Sequence, residues 1–166
     1  MNRLQFAIDS IVFARNYTVR LLETIDPSDW FRMPPEGITH VAWQVGHLAM
    51  AEYRLALERL RGAQPDDPNL ISTEFLRIFG RDSVVERDPT KYPSIVEIRS
   101  VFDRVHQQTL RELQAYPGND LDSPPMKAHA LCETKIEVLR WCGHHEMIHT
   151  GQIGLLRRFF GAKPMW

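Results

Sequence analysis

The chain has 166 residues, with 20 Lys and Arg against 21 Asp and Glu, so its formal net charge is −1. Its composition, 43% hydrophobic and 25% charged residues, is that of a folded globular protein, and its length predicts one domain over residues 1–166. A nearly neutral chain without a basic run lacks the clustered cations that bind a phosphate backbone. We therefore expect no nucleic-acid partner.

The two cysteines, Cys132 and Cys142, do not match the spacing of a Cys-x-x-Cys metal or redox motif. We expect both to be reduced thiols, which suits the cytoplasm. Asp9 and Ser10 interrupt the apolar residues near the start of the chain, so no signal-peptide core is present there. No apolar run is long enough to cross a bilayer. The sequence thus predicts a cytoplasmic protein that does not bind membranes.

Apolar residues at spacings of three and four predict two long helices in the first part of the chain. The first helix runs from about Leu4 to Ile25, where Asp26-Pro27 stops it. The second runs from about His40 to Arg61. Gly62 follows at the position where a left-handed residue commonly ends a helix.

Two further long helices are predicted in the second part of the chain, and each opens with a capping-box pattern. The third begins at Ser94-Ile95-Val96-Glu97 and ends at Pro117-Gly118. The fourth begins near Thr134-Lys135-Ile136-Glu137, or several residues earlier, and continues to Gly161.

The link between the second and third helices, Ala63–Pro93, has about 30 residues, roughly twice the length of the other two links. It contains a candidate short helix at Ser72–Phe79 and then a charged stretch at Arg81–Tyr92. A link of this length can cross the bundle. The expected architecture is therefore all-α: a four-helix bundle with a long crossover between helices 2 and 3.

His145 and His149 lie four residues apart in the fourth predicted helix, so both imidazoles can reach one metal ion. Chance alone gives about 0.3 such pairs in this composition, which makes the spacing a weak indication by itself. The surrounding residues strengthen it, because His144 and Gln152 add polar groups to a helix expected in the core. Each unsatisfied buried polar group costs about 1–3 kcal/mol. The alternative is an exposed polar face.

His47 is the best candidate for a third ligand, because it lies in the apolar stretch of the second helix. A lone histidine of this kind is more often a core residue, so the assignment requires helices 2 and 4 to be neighbours. Gly46 beside it permits close approach of another backbone or a ligand. The His145-Glu146-x-x-His149 segment also matches the zincin motif, but no His, Asp or Glu follows it and no strand pattern is present. We do not expect a protease.

Two short motifs, about 100 residues apart, carry a family resemblance: Gly46-His47-Leu48, and His145-x-x-x-His149-x-Gly151-Gln152-Ile153. With the Trp43-Gln44 lead-in and the Arg157-Arg158 and Gly161 ending, the chain resembles the DinB-like superfamily of metal-binding four-helix bundles, which includes YfiT-type proteins. The resemblance covers essentially the whole chain. It implies a site of His47, His145 and His149 that holds one divalent ion, which is nickel, zinc or iron across the family.

The resemblance also implies a type of chemistry. Relatives include bacillithiol and mycothiol transferases, mycothiol-dependent maleylpyruvate isomerase and the bundle domain of ergothioneine-forming enzymes. We expect a metal-dependent transferase that joins a low-molecular-weight thiol to a small-molecule electrophile. Two alternatives stay open: a metal-dependent hydrolase with Glu146 as general base, and a non-catalytic metal-binding bundle of the stress response. A homodimer is a further expectation.

Several residues near the proposed ligands are candidates for the same site. Glu146 lies about 100° around the helix from His145, so a solvent-facing salt bridge explains it as well as a catalytic role does. His144 is either a register alternative to His145 or a donor to a ligand. His40 is expected at the surface or as a helix cap.

The remaining candidates each have an ordinary structural explanation beside the functional one. Gln152 could orient a ligand or substrate, and Trp43 and Trp141 could form walls of the cavity. Cys142 could line the cavity with a thiol, and Arg54 could bind an anionic substrate. For Cys142, inert packing is the stronger interpretation.

Overall fold

The structure, a computed structural model, describes residues 2–35 and 39–165, and no strand occurs among them. In chain order the α-helices are α1 (Arg3–Leu22), α2 (Val41–Glu52), α3 (Arg59–Arg61), α4 (Asp67–Leu70), α5 (Thr73–Ile78), α6 (Ile95–Ala115) and α7 (Lys135–Phe159). Short 3₁₀ turns occur at Pro27–Asp29 and Pro89–Lys91. In the described parts of the chain, no helix combines the length and the hydropathy that a membrane span requires. The all-α prediction is confirmed.

The second predicted helix is continuous, but its winding changes along its length. A π-helical turn, Tyr53–Glu58, follows α2 directly and leads into α3. Such turns are rare inside helices and are often found at functional sites. Gly62 ends the helix with a φ of +82°, a value that glycine adopts without strain.

Capping side chains explain where the other helices begin. The Thr134 hydroxyl accepts the Glu137 N–H while the Glu137 carboxylate accepts the Thr134 N–H, so α7 starts at the predicted box and not earlier. Ser94 caps α6 by accepting the Glu97 N–H. α1 ends at Leu22, three residues before the predicted Ile25, because its last turn tightens into 3₁₀-type bonds.

His40 caps α2, since its Nδ1 accepts the Trp43 N–H at 3.1 Å. Of the two expectations for this histidine, the cap is confirmed and the surface position is wrong: His40 is 0% exposed. Its Nε2 donates to the Glu86 carbonyl at 3.2 Å. Both ring nitrogens are therefore used within the chain.

The link between α3 and α6 runs back along α2 and makes the predicted crossover. At its beginning Asp67 pairs with Arg61, at the end of α3. Further along, the Glu86 carbonyl accepts from His40 at the start of α2. α6 therefore begins beside the start of α2 and runs parallel to it, and the Arg61–Glu112 ion pair joins their far ends.

α7 packs against both α1 and α2, which brings the second and fourth long helices together. Gly143 allows the close approach to α1, because a Cβ there would lie 3.1 Å from the Ser10 carbonyl oxygen. Further along, the hydroxyls of Thr18 and Thr150 share a hydrogen bond of 2.6 Å. The condition for a site shared by α2 and α7 is thus met.

Candidate metal site

His47 of α2 and His145 and His149 of α7 meet between the two helices, and we call them the histidine trio. One potential ligand atom from each lies within 4.8 Å of the others. The ring centroids of His47 and His149 are 4.6 Å apart, and those of His145 and His149 are 4.5 Å apart. Nitrogens that share one ion with bonds of about 2.0–2.1 Å lie no more than about 4 Å apart, so a pair at the 4.8 Å limit would move slightly closer on binding. The trio is therefore a group that could hold one metal ion.

Hydrogen bonds determine which ring nitrogen is free in two of these histidines. His47 Nδ1 donates to the Phe79 carbonyl at 2.8 Å, and His149 Nδ1 donates to the Gln44 side-chain oxygen at 2.6 Å. Each Nε2 consequently keeps its lone pair. A ligand histidine whose second nitrogen is held by a protein oxygen is the usual arrangement in metal sites.

Burial keeps all three imidazoles neutral near pH 7. It lowers the pKa of His145 to about 4 and that of His149 to about 3, and the neighbouring imidazoles add to both effects. It also lowers the pKa of His47, with a further contribution from the positive charge of Arg54. Since neutral imidazole is the form that binds metal, the donor set fits a divalent cation chemically as well as by size.

Gln44 is the site residue that sequence reasoning missed, since it was noted only as part of a motif. It is 1% exposed. Its side-chain oxygen accepts from His149, while its nitrogen donates to Gln152 Oε1 and to Thr39 Oγ1, both at 2.9 Å. Gln152 thus orients His149 through Gln44 and not by direct contact. A buried amide in an apolar helix, three residues before His47, is the signal that could have identified it.

Gly46 allows the Phe79 ring to pack against α2. A Cβ at position 46 would lie 2.4 Å from two carbons of that ring, which is fully buried. The close approach expected at Gly46 is therefore made by a side chain of the crossover link. This contact holds the Phe79 carbonyl where it accepts from His47.

Two cavities adjoin one another here, and one of them borders the trio through His149. The apolar cavity, of about 790 Å³, is bordered by His149, by Trp43 and by apolar side chains that include Pro34, Leu155 and Phe159. Among the described residues no Asp or Glu lines it. The cationic cavity, of about 600 Å³, is bordered by four cations, Arg54, Arg77, Arg81 and Lys91, and by the acids Asp82 and Glu86. Arg81 and Ser83 border both cavities.

The two tryptophans proposed as walls both contact the trio. The Trp43 indole stacks on His47 with centroids 4.7 Å apart, and its Nε1 donates to Ser83 Oγ at 3.1 Å. Trp141 meets His145 edge-on at 6.3 Å. Trp43 is therefore both a support for a candidate ligand and a wall of the apolar cavity.

Glu146 lies away from the trio, in a buried group that we call the ion cluster: Arg15, Glu52, His106 and Glu146, one from each long helix. The two carboxylate oxygens of Glu146 accept hydrogen bonds from Arg15 at 3.0 and 3.3 Å. Arg15 also binds Glu52 at 2.5 Å, and Glu52 binds His106 at 2.8 Å. The expected solvent-facing salt bridge is wrong, because α1 covers this face of α7 and Glu146 is 3% exposed. The geometry gives the general-base role no support.

Two other candidates also lie outside the trio. Cys142 is buried beside the ion cluster, and burial raises the pKa of its thiol well above the usual value, which suits inert packing. His144 is exposed, so the register with His145 is the one that the fold places between α2 and α7. Both Cys132 and Cys142 are free thiols in the structure.

A helical bundle with three neutral histidines from two adjacent helices defines a class: all-α proteins with a potential metal site in the bundle interior. The family model of the DinB superfamily matches residues 10–153, a range that includes all three histidines. The chain belongs to this superfamily, and the resemblance inferred from its motifs is confirmed. No curated protein matches the chain.

Proposed function

We propose that the protein is a metal-dependent S-transferase, which joins a low-molecular-weight thiol to a small electrophile. The observation that carries the proposal is the position of the trio: three neutral imidazoles beside an apolar cavity without a described carboxylate. His47, His145 and His149 would hold one divalent ion. Imidazole ligands suit nickel, zinc and iron alike.

The residues around the trio prepare it for such an ion. The Phe79 carbonyl and the Gln44 amide each fix one imidazole with its Nε2 lone pair free. Three protein nitrogens leave coordination positions for other molecules. A divalent ion bound there supplies the positive charge that lowers the pKa of a thiol.

These surroundings favour a thiol over water as the nucleophile. An ordinary thiol has a pKa of about 8.5, whereas bulk water has one of about 15.7, so a thiolate near pH 7 needs a small shift and no general base. Hydrolysis would be helped by a base, but both oxygens of Glu146 are held by Arg15. The hydrolase is therefore the weaker alternative.

The apolar cavity suits the electrophile. Its volume of about 790 Å³ lies within the range of small-molecule sites, and His149 at its border brings its contents beside the trio. In the transfer, the thiol sulphur forms a bond to an electrophilic carbon. The leaving group departs with the electron pair of the bond that breaks, and the thiol proton passes to solvent.

Conjugation of cysteine to 1-chloro-2,4-dinitrobenzene, measured by absorbance, tests this proposal. We expect zinc- or nickel-loaded protein to accelerate the reaction, chelator to remove the effect, and His145→Ala to lower the rate at least about 100-fold. His144→Ala is the matched control, because it changes the adjacent exposed histidine and should keep the rate.

A rate that chelator does not change, or equal rates in the two variants, would contradict the proposal. Metal-dependent hydrolysis of p-nitrophenyl acetate without conjugation would favour the hydrolase instead. Bound metal with neither activity would favour the non-catalytic bundle.

We also propose that the protein acts in the cytoplasm. Two free, buried cysteines are compatible with a reducing compartment. The homodimer stays a prediction, and the oligomeric state measured by light scattering would test it.

A further inference from the structure

We propose that the cationic cavity is an anion-binding subsite of the trio, in which Arg54 and Arg81 receive a carboxylate or phosphate group of the electrophile. The uncharged part of the same molecule would lie in the apolar cavity. This inference rests on the proposed function, because it names the chemical class of that substrate: a small organic anion with an apolar body.

The unpaired guanidinium of Arg54 is the first observation that supports this subsite. It is half-buried in the π-helical turn, and its guanidinium has no hydrogen bond or ion pair in the parts of the chain that the structure describes. Arg54 borders the cationic cavity, which shares Arg81 and Ser83 with the apolar cavity beside His149. A partly desolvated, unpaired guanidinium is stabilised by a bound anion.

The second observation is the position of Arg81, which lies where the two cavities meet. It borders both of them, together with Ser83, whose hydroxyl is held by the Trp43 indole. No side chain among the described residues pairs with its guanidinium either. An anionic group bound at this junction can therefore belong to a molecule whose body extends along Trp43 towards His149.

Arg77 borders the same cavity but, unlike Arg54 and Arg81, it forms an ion pair. Its Nε and one terminal nitrogen donate to the two oxygens of Glu74 at 2.8 and 2.6 Å, so its charge is already neutralised. Asp82 and Glu86 also border the cavity, but neither forms an ion pair with Arg54 or Arg81 in the described structure. The planar guanidinium binds carboxylate and phosphate in a bidentate manner, which makes these two groups the expected anions.

Binding of three naphthalene probes to metal-free protein, measured by calorimetry, tests the subsite. The probes are 1-naphthylacetate, 1-naphthyl phosphate and the neutral 1-naphthylacetamide, which share an apolar body. We expect at least one anion to bind about tenfold more tightly than the amide. The better of the two anions identifies the group as carboxylate or phosphate.

Three substitutions then separate a specific subsite from a general charge effect. Arg54→Gln and Arg81→Gln should each reduce the preference for the anion to about threefold or less, with unchanged affinity for the amide. Arg77→Gln removes a charge from the same cavity and should leave the preference intact. The constant amide affinity shows that the variants are folded.

The inference is overturned if wild-type protein does not prefer an anion, if either Arg54→Gln or Arg81→Gln keeps the preference, or if Arg77→Gln loses it equally. Because the protein is metal-free and no reaction is measured, failure of the S-transferase assay does not affect this result. Conversely, an active S-transferase without anion preference would refute the subsite alone.

Discussion

The histidine trio and the ion cluster are both polar groups inside the same bundle, yet their polar atoms have different partners. In the ion cluster the polar groups find their partners within the chain: Arg15 binds two carboxylates, and one of these also binds His106. In the trio, the hydrogen bonds to the described parts of the chain are those of His47 Nδ1 and His149 Nδ1. The potential ligand atoms lie within 4.8 Å of one another.

This difference separates a group that supports the fold from one that can bind a ligand. Buried polar atoms are normally bonded, and the ion cluster follows that rule through contacts among four helices. Neutral imidazole lone pairs that converge cannot bond to each other, whereas a cation can use all of them. The trio is consequently the part of the interior to which we assign function.

The largest expected effect comes from breaking the ion cluster with Arg15→Met. The change leaves the buried carboxylates of Glu52 and Glu146 without their cation, so the free energy of unfolding should fall by about 3–5 kcal/mol. Urea denaturation measures it. Arg3→Met is the control, because its partner Asp122 is exposed and the loss of such a surface pair should change the free energy of unfolding far less. Equal losses in the two variants would contradict the assigned role of the cluster.

The dependence of stability on pH reports on His40, a buried histidine whose two ring nitrogens are both hydrogen-bonded within the chain. Burial lowers the pKa of His40 to about 4, so between about pH 6.5 and 4 the unfolded chain binds a proton that the folded chain does not. Stability should therefore fall as the pH falls through this window, by about 3 kcal/mol from His40 alone, and should be fully present above it.

The His40→Asn variant isolates this contribution from that of the other buried histidines. Asparagine can keep the helix cap but does not titrate. The difference in the free energy of unfolding between variant and wild type should therefore change across the same pH window. Urea denaturation at several pH values checks it. A difference that is constant from pH 7 to pH 4 would exclude His40 as the titrating group.

A smaller effect is expected from Gln44→Leu. This variant removes a hydrogen bond that orients His149 and leaves all three proposed ligands in place. Loss of the oxygen that holds His149 should weaken zinc binding about 10–100-fold. Competition with a chromophoric chelator measures the affinity. Gln152→Leu should weaken binding less, since Gln152 reaches His149 only through Gln44. Unchanged affinity in Gln44→Leu would show that the hydrogen bond does not orient the ligand.

The bundle could be predicted from sequence because its signals are local. Ser94 and Thr134 satisfy the first N–H groups of their own helices, and Gly62 provides the positive φ at a helix end. The trio could also be predicted, since the spacing of His145 and His149 places them on one helical face. The long crossover followed from the length of its link.

The remainder of the site depends on contacts between distant segments. The residue opposite Glu146 is set by the packing of α1 on α7, which the sequence around Glu146 does not encode. The partner of His47 is the backbone carbonyl of Phe79, which no side-chain motif reveals. The π-helical turn that contains Arg54 was likewise not predicted, since the second helix was expected to be regular from about His40 to Arg61.

Zinc content of protein purified without an affinity tag, and equilibrated with excess zinc before removal of free ion, tests the central claim most directly. We predict about one ion per chain in the wild type and in His144→Ala, and almost none in His145→Ala with the same helical circular dichroism. Full zinc content in His145→Ala, or none in the wild type, would contradict a metal site built from His47, His145 and His149.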